Sequence, residues 1–435
     1  MKGRVRLATR YQSPSGETKE SLGDEVGKAT PEVSEALEDL VRRGAQEMLR
    51  RALEEEVDAF LERGRHERSL AFRGYRNGHA PERSVGSGLG AVAVRAPRVR
   101  DVPPEVAPAG YRSAILPRYQ RRSRTQGRLF AQLYLEGLSS GDFEPVFRAL
   151  LGEDAPLSAS SMLRLKDAWK GEYEAWKERR LDRHRYAYLW FDGVYVGCGQ
   201  EREKTVLLCV VAAREDGTKE LLALEEGYRE SAASWQGVWR SLRDRGMAPA
   251  LLGIGDGGLG AWAALTEVFP TTRHQRCWNH RTMNVQDQLP RRLQAEARAT
   301  LRALWEAPTR AECEARRDTY VARLRAQGQE AAASTMLRDW ADFVTFYDFP
   351  QEHWLHLRTT NAIESVFAGV RLRTNVAKRM GKRENALYLV FKIVERLGQN
   401  WRALNGGRTL MTIVLEGRRF IDGVLAGSEV RAEAA

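Results

Sequence analysis

Three acidic residues follow or interrupt apolar stretches, where their carboxylates could hold divalent cations. Asp256 follows the run 250–255, which is too short for a helix and predicts a buried strand. Asp192 lies late in a second apolar stretch, where a charge is costly unless it is paired or bound to a metal. Glu364 lies at the start of a predicted helix. Because hard cations prefer oxygen ligands, the three acids could bind two Mg²⁺ or Mn²⁺ ions, a pair that supports phosphodiester chemistry.

Glu364 also has a purely structural explanation. Asn361 and Glu364 have the spacing of a capping box, with Asn361 as the N-cap of a helix and Glu364 at its third position. This explanation predicts that glutamine would serve equally well at position 364. We favour the metal-binding interpretation because Asp192 and Asp256 offer two further carboxylates for the same site.

The glycines around Asp256 suggest a different alternative. Gly255, Gly257 and Gly260 match the dinucleotide-binding fingerprint between a strand and a helix. That fingerprint also requires an acidic residue at the end of the next strand, whereas the next candidate strand, 273–278, is basic. We therefore expect no nucleotide cofactor, and an oxidoreductase is the weakest alternative.

Cys277 and His280 have a spacing that occurs in zinc sites. A structural zinc site needs four ligands, and no second Cys/His pair lies nearby in the sequence. We therefore expect both residues to pack beside the acids or to position DNA. The four cysteines are scattered, which is typical of a reducing compartment.

The charge balance favours a polyanionic partner. The 435 residues include 69 Lys+Arg and 58 Asp+Glu, a net charge of +11 and a pI near 9.6. Residues 61–130 alone hold 15 Arg, no Lys and 5 acids, and arginine suits bidentate contact with phosphate or guanine. Double-stranded DNA is the predicted partner. The chain begins without an apolar signal region, and its longest apolar run, 206–213, is too short to cross a bilayer. We expect a cytoplasmic protein that is nucleoid-associated when bound to DNA.

Candidate DNA contacts fall in the arginine-rich block, in a predicted helix-turn-helix and after Glu364. Two helical segments and a short turn between 142 and 176 resemble a helix-turn-helix, with an ordinary helical hairpin as the alternative. Arg371 lies seven residues after Glu364 and therefore on the same helix face. The predicted contact residues are Arg73, Arg76, Arg95, Arg98, Arg121, Arg122, Arg124, Ser160, Arg164, Arg371, Arg373, Lys378 and Arg379.

The order of predicted elements indicates an α/β protein with several parts. Three strands followed by alternating helices and strands predict a mixed sheet with helices on its faces. We expect a helical insertion in this core to shape a DNA channel or a multimer without being needed for the sheet to fold. The predicted ranges are 1–29 for a disordered tail, 30–182 for an N-terminal DNA-binding region, 183–289 and 348–404 for the core, 290–347 for the insertion, and 405–435 for a C-terminal helix and tail.

The combination of these motifs resembles a known family, the Mutator-type bacterial insertion-sequence transposases. The resemblance rests on Tyr75-Arg-Asn-Gly78, Asp192-Gly, Gly-Asp256-Gly, Cys277-x-x-His280, the helical insertion and Thr360-Asn361-x-x-Glu364-Ser. It implies a DDE-class enzyme with a retroviral-integrase (ribonuclease H-like) core. It further implies Asp192, Asp256 and Glu364 as metal-binding catalytic acids, and recognition of terminal inverted repeats by the N-terminal part. We expect a homodimer on DNA.

Other classes of DNA-acting protein fit less well. A tyrosine recombinase would need a His-x-x-Arg box and an ATP-driven enzyme a P-loop, and the sequence contains neither. A regulator that binds DNA without transposing it would leave the acids unexplained, and a nuclease on the same core stays an alternative.

Overall fold

The computed structural model describes most of the chain, and the statements below concern these residues. The described ranges are 31–67, 71–87, 90–120, 123–136, 146, 159–197, 204–227, 231–376 and 383–427. The predictions for the tail 1–29, for most of the first helix of the helix-turn-helix, and for Arg121, Arg122, Lys378 and Arg379 lie outside them. The chain divides into two compact units, Met1–Ser123 with Leu151–Pro156, and Arg124–Leu150 with Leu157–Ala435.

The first unit contains a long helix and two antiparallel ribbons. Leu53 of the helix is buried with Val85, Val92 and Val94, whose alternate spacing turns one face of a hairpin inward. The long helix begins at Pro31, a position that suits proline because the first turn of a helix needs no N–H hydrogen bond. The elements are α1 (Pro31–Leu61), β1 (Tyr75–His79) paired with β4 (Pro97–Arg100), and β2 (Arg83–Ser87) paired with β3 (Gly90–Val94).

The second unit is built on a five-stranded mixed sheet. Its order is β7-β6-β5-β8-β9, with β5, β6 and β7 antiparallel and β5, β8 and β9 parallel. This confirms the mixed sheet and its predicted strands. The strands are β5 (Tyr186–Gly197), β6 (Lys204–Arg214), β7 (Lys219–Gly227), β8 (Leu252–Gly255) and β9 (Arg273–Arg276).

Helices cover both faces of this sheet, as the absence of polar alternation in its central strands requires. Along β5, Leu189 and Phe191 face one hydrophobic cluster, whereas Tyr188 and Trp190 face another. The first cluster is covered by α4 (Ala232–Asp244) and α5 (Leu259–Val268). The second is covered by helices from the remainder of the unit, namely α2 (Arg124–Leu135), α3 (Ala159–Glu178), α6 (Trp278–Asp287), α11 (Asn361–Val376), α12 (Arg383–Gly398) and α13 (Gly407–Leu415).

The segment 290–347 is helical, as predicted, but it shares the core of the sheet. Leu301, Met336 and Tyr347 are fully buried in the same cluster as Tyr188 and Trp190. The expectation that the sheet folds without this segment therefore conflicts with the packing. The segment holds α7 (Arg291–Trp305), α8 (Arg310–Ala326), α9 (Glu330–Leu337) and 3₁₀ turns at Trp340–Phe343 and Thr345–Asp348; a further turn, Gln351–His353, leads into the short α10 (Trp354–Leu357).

The C-terminal part differs from its prediction in two respects. Helix α12 ends at Gly398, before the predicted end of the core at 404. A tight hairpin that the sequence pattern did not indicate, β10 (Phe420–Ile421) and β11 (Val424–Leu425), follows α13. Among the described helices, none combines the length and the apolar character needed to cross a membrane.

Candidate active site

Asp192 and Asp256 lie at neighbouring positions in the middle of the sheet. The parallel pairing of β5 with β8 ends where Phe191 lies beside Gly255. The residue that follows each of these two is an aspartate, Asp192 within β5 and Asp256 directly after β8. The register of two parallel strands therefore brings together two acids that are far apart in sequence.

Asp192 is not at the end of its strand, because β5 continues to Gly197 and pairs Asp192 with Cys209 on β6. Only the pairing with β8 ends beside it. Its Oδ1 accepts a hydrogen bond from the Gly193 N–H at 2.7 Å. Alternation along the strand places Asp192 on the face of Trp190, which is also the face that α11 covers.

The line of neighbouring residues across the sheet, from Phe191 on β5 to Gly255 on β8, continues into β9. Arg276 pairs with Gly255 at the end of β9, and the Cys277 N–H donates to the Gly255 carbonyl at 2.9 Å. Cys277 is the N-cap of α6, so His280 lies in the first turn of that helix. The Cys-x-x-His motif thus begins directly beside Asp256.

Glu364 is brought to this row by the first turn of α11. The helix begins at Asn361, and Thr360 precedes it, with its carbonyl accepting from the Glu364 N–H at 2.9 Å. The Asn361 side chain accepts instead from the Asn279 amide at 2.9 Å. The Glu364 Oε1 accepts from the Thr360 hydroxyl at 2.6 Å. The capping box between Asn361 and Glu364 is therefore not formed, and the carboxylate is turned towards α6.

His280 lies between the acids. Its Nδ1 is 3.7 Å from the Asp256 Oδ1 and 3.9 Å from the Glu364 Oε1, both too long for a hydrogen bond. This nitrogen is buried, and the described residues offer it no hydrogen-bond partner. Two ligand atoms of one cation lie roughly 3–4 Å apart, because each is about 2.0–2.2 Å from the ion. The spacing therefore fits a divalent cation bound at this point.

The pKa of His280 is set by burial and by neighbouring residues of the site. Burial of His280 favours its neutral form, but the neighbouring Cys277 sulfur and the negative charges of Asp256 and Asp192 outweigh burial and raise its pKa to about 9. Without a cation, the acids are thus partly neutralised by a protonated histidine.

The three glycines of the fingerprint are explained by packing. A Cβ on Gly255 would lie 2.6 Å from the Phe191 ring, and one on Gly260 would lie 2.7 Å from the Ala232 backbone nitrogen. A Cβ on Gly257 would collide with the Arg276 guanidinium. Close packing around Asp256 is a sufficient reason for this pattern, so the glycines give no independent support to a dinucleotide site.

The predicted DNA contacts between Arg73 and Arg164 differ in whether an acidic residue pairs with them. Arg98 is exposed, and no acidic partner is found for it in the described part of the chain. By contrast, Arg73 pairs with Glu62, Arg76 with Glu54 and Asp58, and Arg95 with Glu82. Arg124 begins α2, and Ser160 and Arg164 lie in α3, but their side chains are outside the described set. All these contacts stay predictions.

On α11, the two predicted arginines also differ. Arg371 is exposed and lies on the helix face of Glu364. Arg373 instead donates to the Glu136 carbonyl and pairs with the Glu136 carboxylate. The described residues offer the Arg371 guanidinium no acidic partner, so it is available to a phosphate, while Arg373 joins α11 to the end of α2.

Comparison with known proteins matches this chain to a family model. Residues 17–403 match the model described as "Transposase, Mutator family". The chain belongs to this family. It is 42% identical over 293 residues to the transposase for insertion sequence element IS6120 of Mycolicibacterium smegmatis, which covers 67% of this chain and 90% of the relative. It is 39% identical over 286 residues to the transposase for element IST2 of Acidithiobacillus ferrooxidans, covering 64% and 94%.

More distant relatives of this Mutator-family chain match along more of its length. The transposase for element ISRM5 of Rhizobium meliloti is 28% identical over 379 residues, 85% of this chain and 90% of the relative. The resemblance inferred from the acids and the Cys-x-x-His motif is therefore confirmed.

The site contains one residue that sequence reasoning missed. Thr360 donates its hydroxyl to Glu364 and its N–H to the Cys277 Sγ, at 3.4 Å. It had been quoted only as part of the family motif. A threonine directly before a helix start is a typical N-cap, and this signal could have placed Thr360, rather than Asn361, at the helix boundary.

Proposed function

We propose that the chain is a DDE transposase that binds the terminal inverted repeats of its insertion sequence and catalyses metal-dependent DNA cleavage and strand transfer. The observation that carries this proposal is that Asp192 and Asp256 lie side by side where the β5–β8 pairing ends, while the His280 Nδ1 lies 3.7 Å from Asp256 and 3.9 Å from Glu364. The order of the sheet, with the two aspartate strands adjacent at its centre, supports a ribonuclease H-like core.

The three carboxylates would hold two Mg²⁺ or Mn²⁺ ions, since oxygen donors suit hard cations. Bound there, the ions would activate the attacking oxygen and stabilise the leaving oxygen of a phosphodiester. The Thr360 hydroxyl fixes one oxygen of Glu364, and the Gly193 N–H fixes one oxygen of Asp192, so both acids are held before ligands bind. The side chain of Asp256 is 43% exposed and that of Glu364 is 35% exposed, which leaves them open to a DNA strand.

Arg371 would contact a phosphate of that strand, because its guanidinium is exposed on the face of α11 that carries Glu364. The arginine-rich first unit would supply most of the affinity for double-stranded DNA. We further propose that the enzyme acts as a homodimer, as expected for a protein that must hold two transposon ends.

The deciding experiment is cleavage of labelled DNA that carries the inverted repeats flanking the gene, in Mg²⁺, by Glu364→Gln, Asp192→Asn and Asp256→Asn. Each change keeps size and hydrogen bonding but removes a charge that holds the cations, so we expect cleavage to fall by at least about 100-fold. DNA binding, measured by gel shift, should persist. An active Glu364→Gln protein would refute the three-carboxylate mechanism, because glutamine can replace glutamate only in a structural role.

A further inference from the structure

Cys277, His280 and Glu364 form a second, chemically different set of ligands. One donor atom from each, a sulfur, an imidazole nitrogen and a carboxylate oxygen, lie within 4.8 Å of one another. Cys277 and His280 come from the start of α6, and Glu364 comes from the start of α11. In the sequence, only Cys277 and His280 have the spacing of zinc ligands. The fold adds Glu364 as a third ligand.

The sulfur, nitrogen and oxygen donors are of the types that bind a borderline-soft metal ion. The His280 Nδ1 is buried, no hydrogen-bond partner is found for it among the described residues, and the Glu364 Oε1 lies 3.9 Å away. The Cys277 Sγ accepts the Thr360 N–H at 3.4 Å, and the Glu364 Oε1 accepts the Thr360 hydroxyl at 2.6 Å. Ligands supported by hydrogen bonds from neighbouring groups are typical of metal sites. Thr360 supports two of these three ligands.

The position of Cys277 also leaves its sulfur available to a metal ion. It is the N-cap of α6. Its side chain makes no cap hydrogen bond, so the sulfur is not committed to the helix. Thiolate and imidazole donors select Zn²⁺ over Mg²⁺, whereas an all-oxygen set does the reverse.

We propose that Cys277, His280 and Glu364 bind Zn²⁺ or a similar transition-metal ion, and that this binding inhibits the Mg²⁺-dependent reaction by withdrawing Glu364 from the catalytic acids. Three protein ligands and an open fourth position are sufficient for an accessible zinc site. The binding half stands on the geometry alone. The inhibitory half rests on the proposed function, because it needs Glu364 to be a catalytic ligand.

Binding is tested on the full-length protein with Co²⁺ as a spectroscopic substitute for Zn²⁺. We expect a near-ultraviolet charge-transfer band from cobalt–thiolate bonding, which Zn²⁺ abolishes by displacement. The band should be absent in Cys277→Ser and unchanged in Cys313→Ser, a matched change at a buried cysteine of α8. A band that persists in Cys277→Ser, or no band in the wild type, would overturn the site.

Should Cys277→Ser fail to fold, X-ray absorption of the zinc-loaded wild-type protein answers the same question. We expect one sulfur at about 2.3 Å among nitrogen and oxygen ligands; a shell of nitrogen and oxygen alone would refute the proposal.

Inhibition is tested by adding Zn²⁺ to the Mg²⁺ cleavage reaction. We expect half-inhibition to need at least about tenfold more Zn²⁺ in Cys277→Ser than in Cys313→Ser, each compared with its own activity without zinc. Unchanged or stimulated cleavage in the presence of Zn²⁺ would refute the inhibitory half. Absence of any cleavage in Mg²⁺ alone would instead refute the proposed function, and the cobalt spectrum would still decide the binding.

Discussion

At the scale of single residues, arginines have different roles according to the groups that they contact. Arg76 is bound by Glu54 and Asp58, and Arg281 donates to the carbonyls of Thr335 and Arg338. Burial lowers the pKa of Arg281 to about 10, with the charge of Arg276 acting in the same direction. Such arginines stabilise the fold. Only arginines without acidic partners have a charge that is fully available to DNA.

This distinction gives a prediction for the first unit. Arg98→Ala should weaken DNA binding and reduce the slope of log K against log salt by about 1, because one phosphate contact and its released counterions are lost. Arg76→Ala should leave the slope nearly unchanged and lower stability instead, since it exposes two partnered acids. The measurement is a gel-shift titration at several salt concentrations, with circular dichroism for stability. Equal salt slopes for wild type and Arg98→Ala would show that Arg98 does not contact DNA.

At the scale of elements, helix starts are capped by residues close and far in sequence. At the start of α8, Thr309 accepts the Glu312 N–H at 3.2 Å, and the Asp422 carboxylate accepts the Arg310 N–H at 2.7 Å. Asp422 has φ 47°, in the left-handed region, and forms the two-residue turn of the C-terminal hairpin with Gly423, whose φ is 82°. Tight hairpin turns favour these residue types. One turn therefore shapes the hairpin and caps a helix.

We predict that Asp422→Ala lowers the free energy of unfolding by about 1–2 kcal/mol, through loss of the cap and of a side chain that tolerates positive φ. Asp422→Asn keeps an oxygen acceptor and the turn preference, so it should lose less than half as much. Urea denaturation gives both values. If alanine and asparagine are equally well tolerated, the carboxylate does not cap α8.

At the scale of the whole molecule, the segment 290–347 is joined to the sheet through buried polar groups. Gln275 of β9 is fully buried; its amide donates to the Phe343 carbonyl at 3.1 Å and accepts the Phe346 N–H at 2.8 Å. Trp278 donates to the same Phe343 carbonyl at 2.9 Å. The first residues after β9 carry the Cys-x-x-His motif, so the segment supports the site through β9 and the start of α6.

Loss of the hydrogen bonds made by Gln275 should lower the free energy of unfolding. Gln275→Ala leaves a cavity and the buried Phe346 N–H without a partner, so we expect unfolding to become easier by about 2–4 kcal/mol. Gln288→Ala, at an exposed position near the end of α6, is the control and should stay within about 0.5 kcal/mol of wild type. Chemical denaturation of the full-length protein measures both. A Gln275→Ala protein as stable as the control would mean that these hydrogen bonds do not stabilise the attachment of the segment to the sheet.

The sequence by itself determined the local elements and the chemistry-bearing residues. Apolar runs predicted β5 to β8, and the charges at Asp192 and Asp256 were conspicuous because burial of an acid requires a reason. These signals depend on residues close in sequence, whose periodicity follows directly from strand and helix geometry.

Only the tertiary structure decided how those elements meet. Strand register put Cys277 in the row of the aspartates, and the Asn279 contact with Asn361 accompanies a helix start at which Thr360, not Asn361, is the cap. The segment 290–347 is part of the core because its apolar residues are buried in the same cluster as those of the sheet. Register, long-range caps and shared cores depend on contacts between distant residues, and local periodicity carries no information about which of those contacts form.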